Sequence, residues 1–72
     1  MTRSTGPSPT SAAAELHVIA DTVERQRERV AAIAEPYLGT EREDVIATVH
    51  EAERQLLIAT RSLRRAIKTL ER

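Results

Sequence analysis

One repeating pattern in the second half of the chain restricts its fold more than any other feature. Between residues 45 and 70, apolar side chains recur at alternating steps of four and three residues. This spacing places them in one row along a helix and is typical of a coiled-coil seam. The row consists of Val45, Val49, Ala52, Leu56, Ala59, Leu63, Ala66 and Leu70. An apolar row needs another apolar surface to cover it, so the pattern predicts a helix with a packing partner.

The first half of the chain carries the same alternation. Its row consists of Ala12, Leu16, Ile19, Val23, Gln26, Val30, Ile33 and Tyr37. Gln26 interrupts this row and has two interpretations. It either points along the edge of the interface, or it is a buried polar group that fixes how the helices pair. Two rows with the same spacing predict two helices that pack against each other.

The start of the first helix is expected near Ser11. Residues 1–10 are rich in Ser, Thr, Gly and Pro and hold no large apolar group after the first residue, which predicts a disordered N-terminal tail. Serine is a preferred N-cap residue because its hydroxyl accepts a hydrogen bond from a free backbone amide. Helix one is therefore expected to cover about residues 12–38.

A tight turn is expected around Gly39. Pro36 lacks the amide hydrogen that a helix interior needs, so it should kink or end the last turn of helix one. Gly39 can adopt the left-handed conformation that often closes a helix. Thr40 and Glu43 have the spacing of a capping box, in which each side chain satisfies a free backbone amide, so helix two is expected to cover about residues 41–71. Signals this close together predict an antiparallel hairpin.

The turn also sets the register of the hairpin, which occupies residues 11–72. Opposite residues should have numbers that sum to about 79, which places Ile19 opposite Ala59. Large side chains then face small ones in several layers, as close packing requires. The same register brings Arg27 beside Glu53, and we predict an ion pair between the helices there.

A two-helix hairpin within 72 residues has little interior, and chains of this size usually need an additional source of stability. One flank of the predicted seam is richer in apolar groups than the other, and a hairpin alone would leave its Ile46, Leu57 and Ile67 exposed. We therefore expect this predicted docking flank to bind a second copy about a two-fold axis, giving a homodimeric four-helix bundle. The flank consists of Ala20, Ala31, Ala34, Ile46, Leu57, Thr60 and Ile67.

Charge is balanced over the whole chain but polarised along helix two. Eleven basic and eleven acidic residues give no net charge, so no overall field attracts nucleic acid or anionic membranes. Residues 41–53 carry a net charge of minus four, and residues 60–72 carry plus four. Acids at the start and bases at the end complement the helix dipole. The alternative is that the basic turns contact phosphates of nucleic acid, through Arg61, Arg64, Arg65, Lys68 and Arg72.

No pattern of an enzyme site is present. The sequence has no cysteine and no glycine-rich phosphate loop, and His17 with Asp21, one helical turn apart, would make a weak metal site with only two ligands. No cofactor and no catalytic or metal-binding residue is therefore predicted. The apolar runs are too short to span a bilayer, and no signal peptide is apparent, so a cytoplasmic protein without membrane contact is expected.

These features predict a non-enzymatic protein–protein interaction module. In this interpretation, a small helical hairpin associates with itself or with a helical segment of another protein, as an adaptor or regulatory subunit. The alternative is a small nucleic-acid-associated regulator that uses the basic turns at the end of helix two. Absence of helix-turn-helix spacing and of interleaved aromatic residues favours the first prediction.

Overall fold

The computed structural model describes residues 8–72, which form a helical hairpin. Its elements are helix α1 (Pro9–Ala34), a short 3-10 helix (Glu35–Tyr37) and helix α2 (Glu43–Leu70). The two long helices pack against each other, and no strand is present among the described residues. The prediction of an all-α hairpin is thereby confirmed. Residues 1–7, most of the predicted tail, lie outside the described residues.

The contacts between the two helices show that they run antiparallel. Arg27 contacts Glu53 near the middle of the hairpin, whereas His17, earlier in α1, contacts Glu71 at the end of α2. Residues later in α1 therefore face residues earlier in α2. The Arg27–Glu53 ion pair predicted from the register is confirmed, with Nη1 and Oε2 at 3.5 Å.

Helix α1 begins three residues earlier than predicted. Ser8 is its N-cap, and the Ser8 hydroxyl accepts a hydrogen bond from the Ser11 amide at 3.3 Å. Pro9 occupies the first helical position, where its fixed φ suits the helix and its missing amide hydrogen would have no helical partner. The expectation that Ser11 caps the helix and that residues 9 and 10 belong to a tail is therefore wrong, because Ser8 supplies the cap and Pro9 suits the first helical position.

The end of α1 follows the predicted stop signals. The α-helix finishes at Ala34, and Pro36 lies in the single 3-10 turn that follows. Gly39 has a φ of +78°, the left-handed conformation that glycine adopts without a steric penalty. Helix one thus ends a few residues before the predicted boundary, because Pro36 cannot supply the amide that would continue the α-helical hydrogen bonding.

Thr40 does not cap α2 as predicted. Its hydroxyl donates to the carbonyl of Tyr37 at 2.6 Å and accepts from the amide of Arg42 at 3.2 Å, so it holds the turn together. Helix α2 begins at Glu43, and its N-cap, Arg42, makes no side-chain capping bond. The predicted capping box is therefore wrong. The Thr40 hydroxyl bonds within the connection between the helices, and Glu43 is the first residue of α2.

In each helix, the row that faces the other helix shares every second residue with the predicted seam. At the positions between, it is shifted by one residue. The shared members, including Leu16, Val23 and Val30, are half-buried as expected. Between them, α1 turns Ala20 and Ala34 inward instead of Ile19 and Ile33. The facing row of α1 is Ala13, Leu16, Ala20, Val23, Arg27, Val30 and Ala34. The facing row of α2 is Ile46, Val49, Glu53, Leu56, Thr60, Leu63, Ile67 and Leu70.

The size of the inward side chains explains this offset. The level of the Arg27–Glu53 contact places Ala13 with Ile67, Ala20 with Thr60, and Ala34 with Ile46. The smaller of each pair comes from α1, which lets the two backbones approach closely while the larger side chain fills the space between them. Had Ile19 and Ile33 turned inward, α1 would stand farther from α2.

Candidate interaction surface

The hairpin has two sides, which differ in chemistry. A residue just after a facing residue is rotated about 100° one way around its helix, and a residue just before it is rotated the other way. Asp21 contacts Arg64, and His17 contacts Glu71, so the rows that follow the facing rows share one side. The rows that precede the facing rows must then share the opposite side.

The side formed by the rows that follow the facing rows is called the charged side. Polar contacts between the two helices lie along it. Arg64 donates to the carboxylate of Asp21 at 3.3 Å, and His17 lies 3.9 Å from Glu71. Arg27 reaches from the interface toward this side and bonds Glu24 through Nε at 3.2 Å. That hydrogen bond, helped by the charges of Arg27 and Arg64, lowers the pKa of Glu24 below its ordinary value.

The second, the apolar side, carries no charged residue in its two central rows. The row of α1 is Ala12, Ile19, Gln26 and Ile33, and the row of α2 is Val45, Ala52, Ala59 and Ala66. These are the positions that the sequence placed inside the hairpin. Ile19 is 41% exposed and Ile33 is 56% exposed, so the structure leaves large apolar groups uncovered along this side.

The rim of the apolar side next to α2 is polar but uncharged. It consists of Thr48, Gln55, Ser62 and Thr69. The hydroxyl of Thr48 donates to the carbonyl of Asp44 at 2.8 Å, and that of Thr69 donates to the carbonyl of Arg65 at 3.1 Å. Because these hydroxyls already donate within their own helix, covering them leaves no donor unsatisfied. Thr48 and Thr69 can therefore lose water more easily than their polar character suggests.

The structure places most of the predicted docking flank inside the hairpin. Ala20, Ala34, Thr60 and Ile67 are between 0% and 5% exposed, and the remaining members, Ala31, Ile46 and Leu57, are half-buried. The expectation that a lone hairpin leaves Ile67 exposed is wrong, because α2 turns this residue toward Ala13 of α1. Contact of the flank with a second protein stays a prediction.

Gln26 lies at the edge of the interface, the first of its two interpretations. Its side chain is exposed, and it belongs to the central row of the apolar side. Within the hairpin it therefore does not act as a buried polar layer. That position is taken instead by Arg27 and Glu53, whose long side chains are each about three-quarters buried.

The predicted nucleic-acid contacts, Arg61, Arg64, Arg65, Lys68 and Arg72, are all exposed. They lie on the charged side and the outer face of α2, and Arg65 reaches the rim of the apolar side at Ser62. Two of them are engaged within the protein: Arg64 with Asp21, and Arg65 with the Ser62 hydroxyl at 2.9 Å. Lys68 lies in the last turn of α2, and Glu43 and Asp44 lie in its first turn, as dipole complementation requires.

Two exposed apolar residues on the outer face serve as a reference for the apolar side. Val18 on α1 is 64% exposed and Ile58 on α2 is 42% exposed. Each points away from the other helix, and each is isolated among polar neighbours. Single exposed apolar groups of this kind are common and require no partner, whereas the apolar side brings several together in two adjacent rows.

Among residues 8–72, no three His, Asp or Glu side chains cluster closely enough to hold a metal ion. A shallow depression of about 420 Å³ lies at the open end of the hairpin, between Ala13, His17 and Leu70. Neither α1 nor α2 has a stretch long and apolar enough to cross a membrane.

No protein-family model matches the chain, and neither a curated protein nor a solved structure matches it significantly.

Proposed function

We propose that this protein is a non-enzymatic interaction module whose apolar side docks onto a helical surface, either of its own kind or of another protein. One observation carries the proposal. Ile19 and Ile33 are about half exposed in a row that contains no charge, next to a row of three alanines and a valine on α2. Small and large apolar groups side by side are what a partner helix packs against.

The limited interior of the hairpin supports the same proposal. The buried apolar residues are three alanines and Ile67, and no large side chain of the described residues is fully buried. A core of this size supplies little of the stability that a folded chain needs. Covering Ile19 and Ile33 with a partner removes more apolar surface from water and so stabilises the fold as well as the complex.

In such a module, the rigid hairpin presents a surface and the partner provides any chemistry. The charged side stays in water and keeps the two helices in register through the Arg27–Glu53 and Asp21–Arg64 pairs. The apolar side is then free to bind. An adaptor or regulatory subunit requires no more than this arrangement, and no cofactor is proposed.

The rival function, nucleic-acid binding through the end of α2, has less support. Asp21 and Glu24 of α1 lie close to Arg64, so acids offset part of the positive charge on which phosphate binding depends. Salt-dependent binding to duplex DNA that is lost when Arg61, Arg65 and Lys68 are changed to Gln would favour the rival.

The experiment compares two double variants that add the same charge. In the first, Ile19→Glu and Ile33→Glu place carboxylates on the apolar side. In the second, Val18→Glu and Ile58→Glu place them on the outer face. After cross-linking in the native cell and purification of the tagged protein, we expect the wild type and the second variant to retain the same partners, and the first to lose them. Equal capture by both variants would contradict the proposal.

A further inference from the structure

We propose that the partner of the apolar side is a second copy of this chain, related by a two-fold axis that is perpendicular to the helices and passes beside Gln26. The proposal rests on the proposed function and specifies its partner. The two copies would form a four-helix bundle in which α1 lies antiparallel to α1 of the second copy and α2 antiparallel to α2. The interface is the apolar side, not the predicted docking flank.

The spacing of the two central rows fits such an axis. On α1, Ile19 and Ile33 each lie seven residues from Gln26. On α2, the row of Val45, Ala52, Ala59 and Ala66 is symmetric about the midpoint between residues 55 and 56. The Arg27–Glu53 contact puts Gln26 at the level of residues 53–54, about 2–4 Å from that midpoint at about 1.5 Å per residue. Because a two-fold axis doubles this offset between paired residues, an axis beside Gln26 matches the row of α2 with its counterpart to within about 4–8 Å, about one helical turn.

This axis pairs residues of matching chemistry. Ile19 meets Ile33 of the second copy, Gln26 meets its own counterpart, and Ala52 lies about one helical turn from Ala59. A glutamine amide has both donors and an acceptor, so two of them at the axis can satisfy each other. Antiparallel neighbours throughout the bundle also place opposite ends of the helix dipoles together.

The other two-fold arrangement suits Gln26 poorly. An axis parallel to the helices would place α1 against α2 of the second copy at equal levels, with Gln26 opposite Ala52. The amide would then be covered by a methyl group and would lose water without gaining a partner, which is unfavourable for a buried polar group. The polar residue that interrupts the row of α1 thus selects between the two arrangements.

The footprint of the apolar side is about the size of a standard specific interface. Helix α1 has 26 residues, so it is about 39 Å long at about 1.5 Å per residue. Two helices whose axes lie about 8–10 Å apart present a face about 18–20 Å wide. The product, about 700–800 Å², matches the roughly 800 Å² that each partner contributes to a standard specific interface.

Charge also directs a second copy to this side. The two central rows and the rim of α2 hold no charged residue, and the rim of α1 holds one acid and one base, Glu15 and Arg29. Docking through the charged side would instead bury or separate the Asp21–Arg64 and Arg27–Glu24 pairs, which is costly when charges lose water. The apolar side is the one that two identical molecules can both cover.

The test uses the absence of cysteine from the sequence. Gln26→Cys introduces a single thiol at the axis, and Val18→Cys introduces one on the outer face as a matched control. With oxidised glutathione as the oxidant, two thiols lose two electrons and two protons to form one disulfide, and the glutathione disulfide is reduced to two thiols. We expect Gln26→Cys to become a covalent dimer at low micromolar concentration at least ten times faster than Val18→Cys.

Sedimentation of the purified full chain without cysteine provides the second measurement. The wild type should be a dimer at micromolar concentration. Ile33→Glu should weaken dimerisation at least 100-fold, whereas Val18→Glu should leave it unchanged, and helix content by circular dichroism shows whether each variant is folded. If Ile33→Glu does not fold, the cross-linking comparison still decides.

Two results would overturn the inference. One is a wild-type protein that stays monomeric at about 100 times the micromolar concentration at which we expect a dimer. The other is a dimer in which Gln26→Cys cross-links no faster than Val18→Cys, because the axis would then lie elsewhere. A monomer that still captures another protein through Ile19 and Ile33 in the cell would refute self-association while leaving the proposed function standing.

Discussion

The charged side and the apolar side of the hairpin lie back to back, and their chemistry divides two tasks. On the charged side, Asp21–Arg64 and Arg27–Glu24 contacts tie neighbouring residues within one molecule. On the apolar side, Ile19 and Ile33 have no such contacts and remain partly in water. Ion pairs at a surface add little stability, but the Asp21–Arg64 pair joins the two helices and forms in one register only, whereas exposed apolar rows favour association. One side thus maintains the hairpin, and the other is available to a partner.

The largest loss of stability is expected from a change in the facing row of α2, which lies between the two sides. Ile67 is 3% exposed in the facing row of α2, so Ile67→Ala should lower the free energy of unfolding by about 2–3 kcal/mol, the lower part of the range for buried large-to-alanine changes. Ile58→Ala, on the outer face, is the control and should change little. Urea unfolding followed by circular dichroism measures both. All variants need the same protein concentration, since self-association shifts apparent stability.

A similar loss from both variants would show that the facing row of α2 is not where the structure places it. It would also remove the distinction between the sides, because both sides are defined relative to that row.

The next effect is expected from adding volume between the helices. Ala20 is fully buried, and Ala20→Leu should destabilise the hairpin by about 1–3 kcal/mol because the added methyl groups force the helices apart. Ala32→Leu adds the same group at an exposed position of the same helix and should be neutral or slightly destabilising. Thermal unfolding distinguishes them, and a stabilising Ala20→Leu would mean that the close approach of α1 and α2 is absent.

Removing the central ion pair should have a smaller effect. Arg27→Gln removes the partner of both Glu24 and Glu53, and we expect a lower melting temperature, by less than for either change above. Arg54→Gln removes an ion pair with Glu51 inside α2 and should have almost no effect, because such surface pairs contribute little. If Arg54→Gln were the more damaging variant, the contacts of the charged side would not hold the helices in register.

The smallest effect concerns pH. The hydrogen bond from Arg27 lowers the pKa of Glu24 in the folded protein. A carboxylate with a lowered pKa contributes stability that is present above its unfolded pKa and is lost as pH falls through its folded pKa. The melting temperature should therefore decrease below about pH 5, given a usual glutamate pKa of about 4.3.

The matched variant for this pH effect is Glu24→Gln, in which the decrease should be shallower than in the wild type. Glu28→Gln on the same helix, an exposed position, is the control. Identical pH profiles for the wild type and Glu24→Gln would show that the Arg27–Glu24 bond does not contribute to folding in solution.

Much of the fold follows from local signals in the sequence. The spacing of the apolar residues gave two helices, Pro36 and Gly39 gave the turn, and the short connection gave an antiparallel register close enough to predict Arg27 beside Glu53. Each of these depends on one or two residues with strong conformational preferences. Such signals act over a few residues and do not depend on the rest of the molecule.

The choice of the inward row could not be predicted in the same way. Ile19 and Ala20 are neighbours, and both fit a row with steps of three and four. Counting large apolar residues favours Ile19, whereas close approach of two backbones favours Ala20, and only the packed pair of helices decides. The caps were missed for local reasons: Ser8 and Ser11 can both cap a helix, and the Thr40 hydroxyl bonds Tyr37 and Arg42 in the turn instead.

The turn at Gly39 also indicates where the chain can be extended by insertion. With a φ of +78° and no atom within 4 Å of where a Cβ would stand, this glycine is needed for its backbone freedom alone and is surrounded by solvent. Extra residues inserted there would meet no obstacle, and doubling the length of a flexible connection adds only about 0.6 kcal/mol of closure entropy. The tip of the molecule is therefore a natural place to graft a reporter or an affinity peptide.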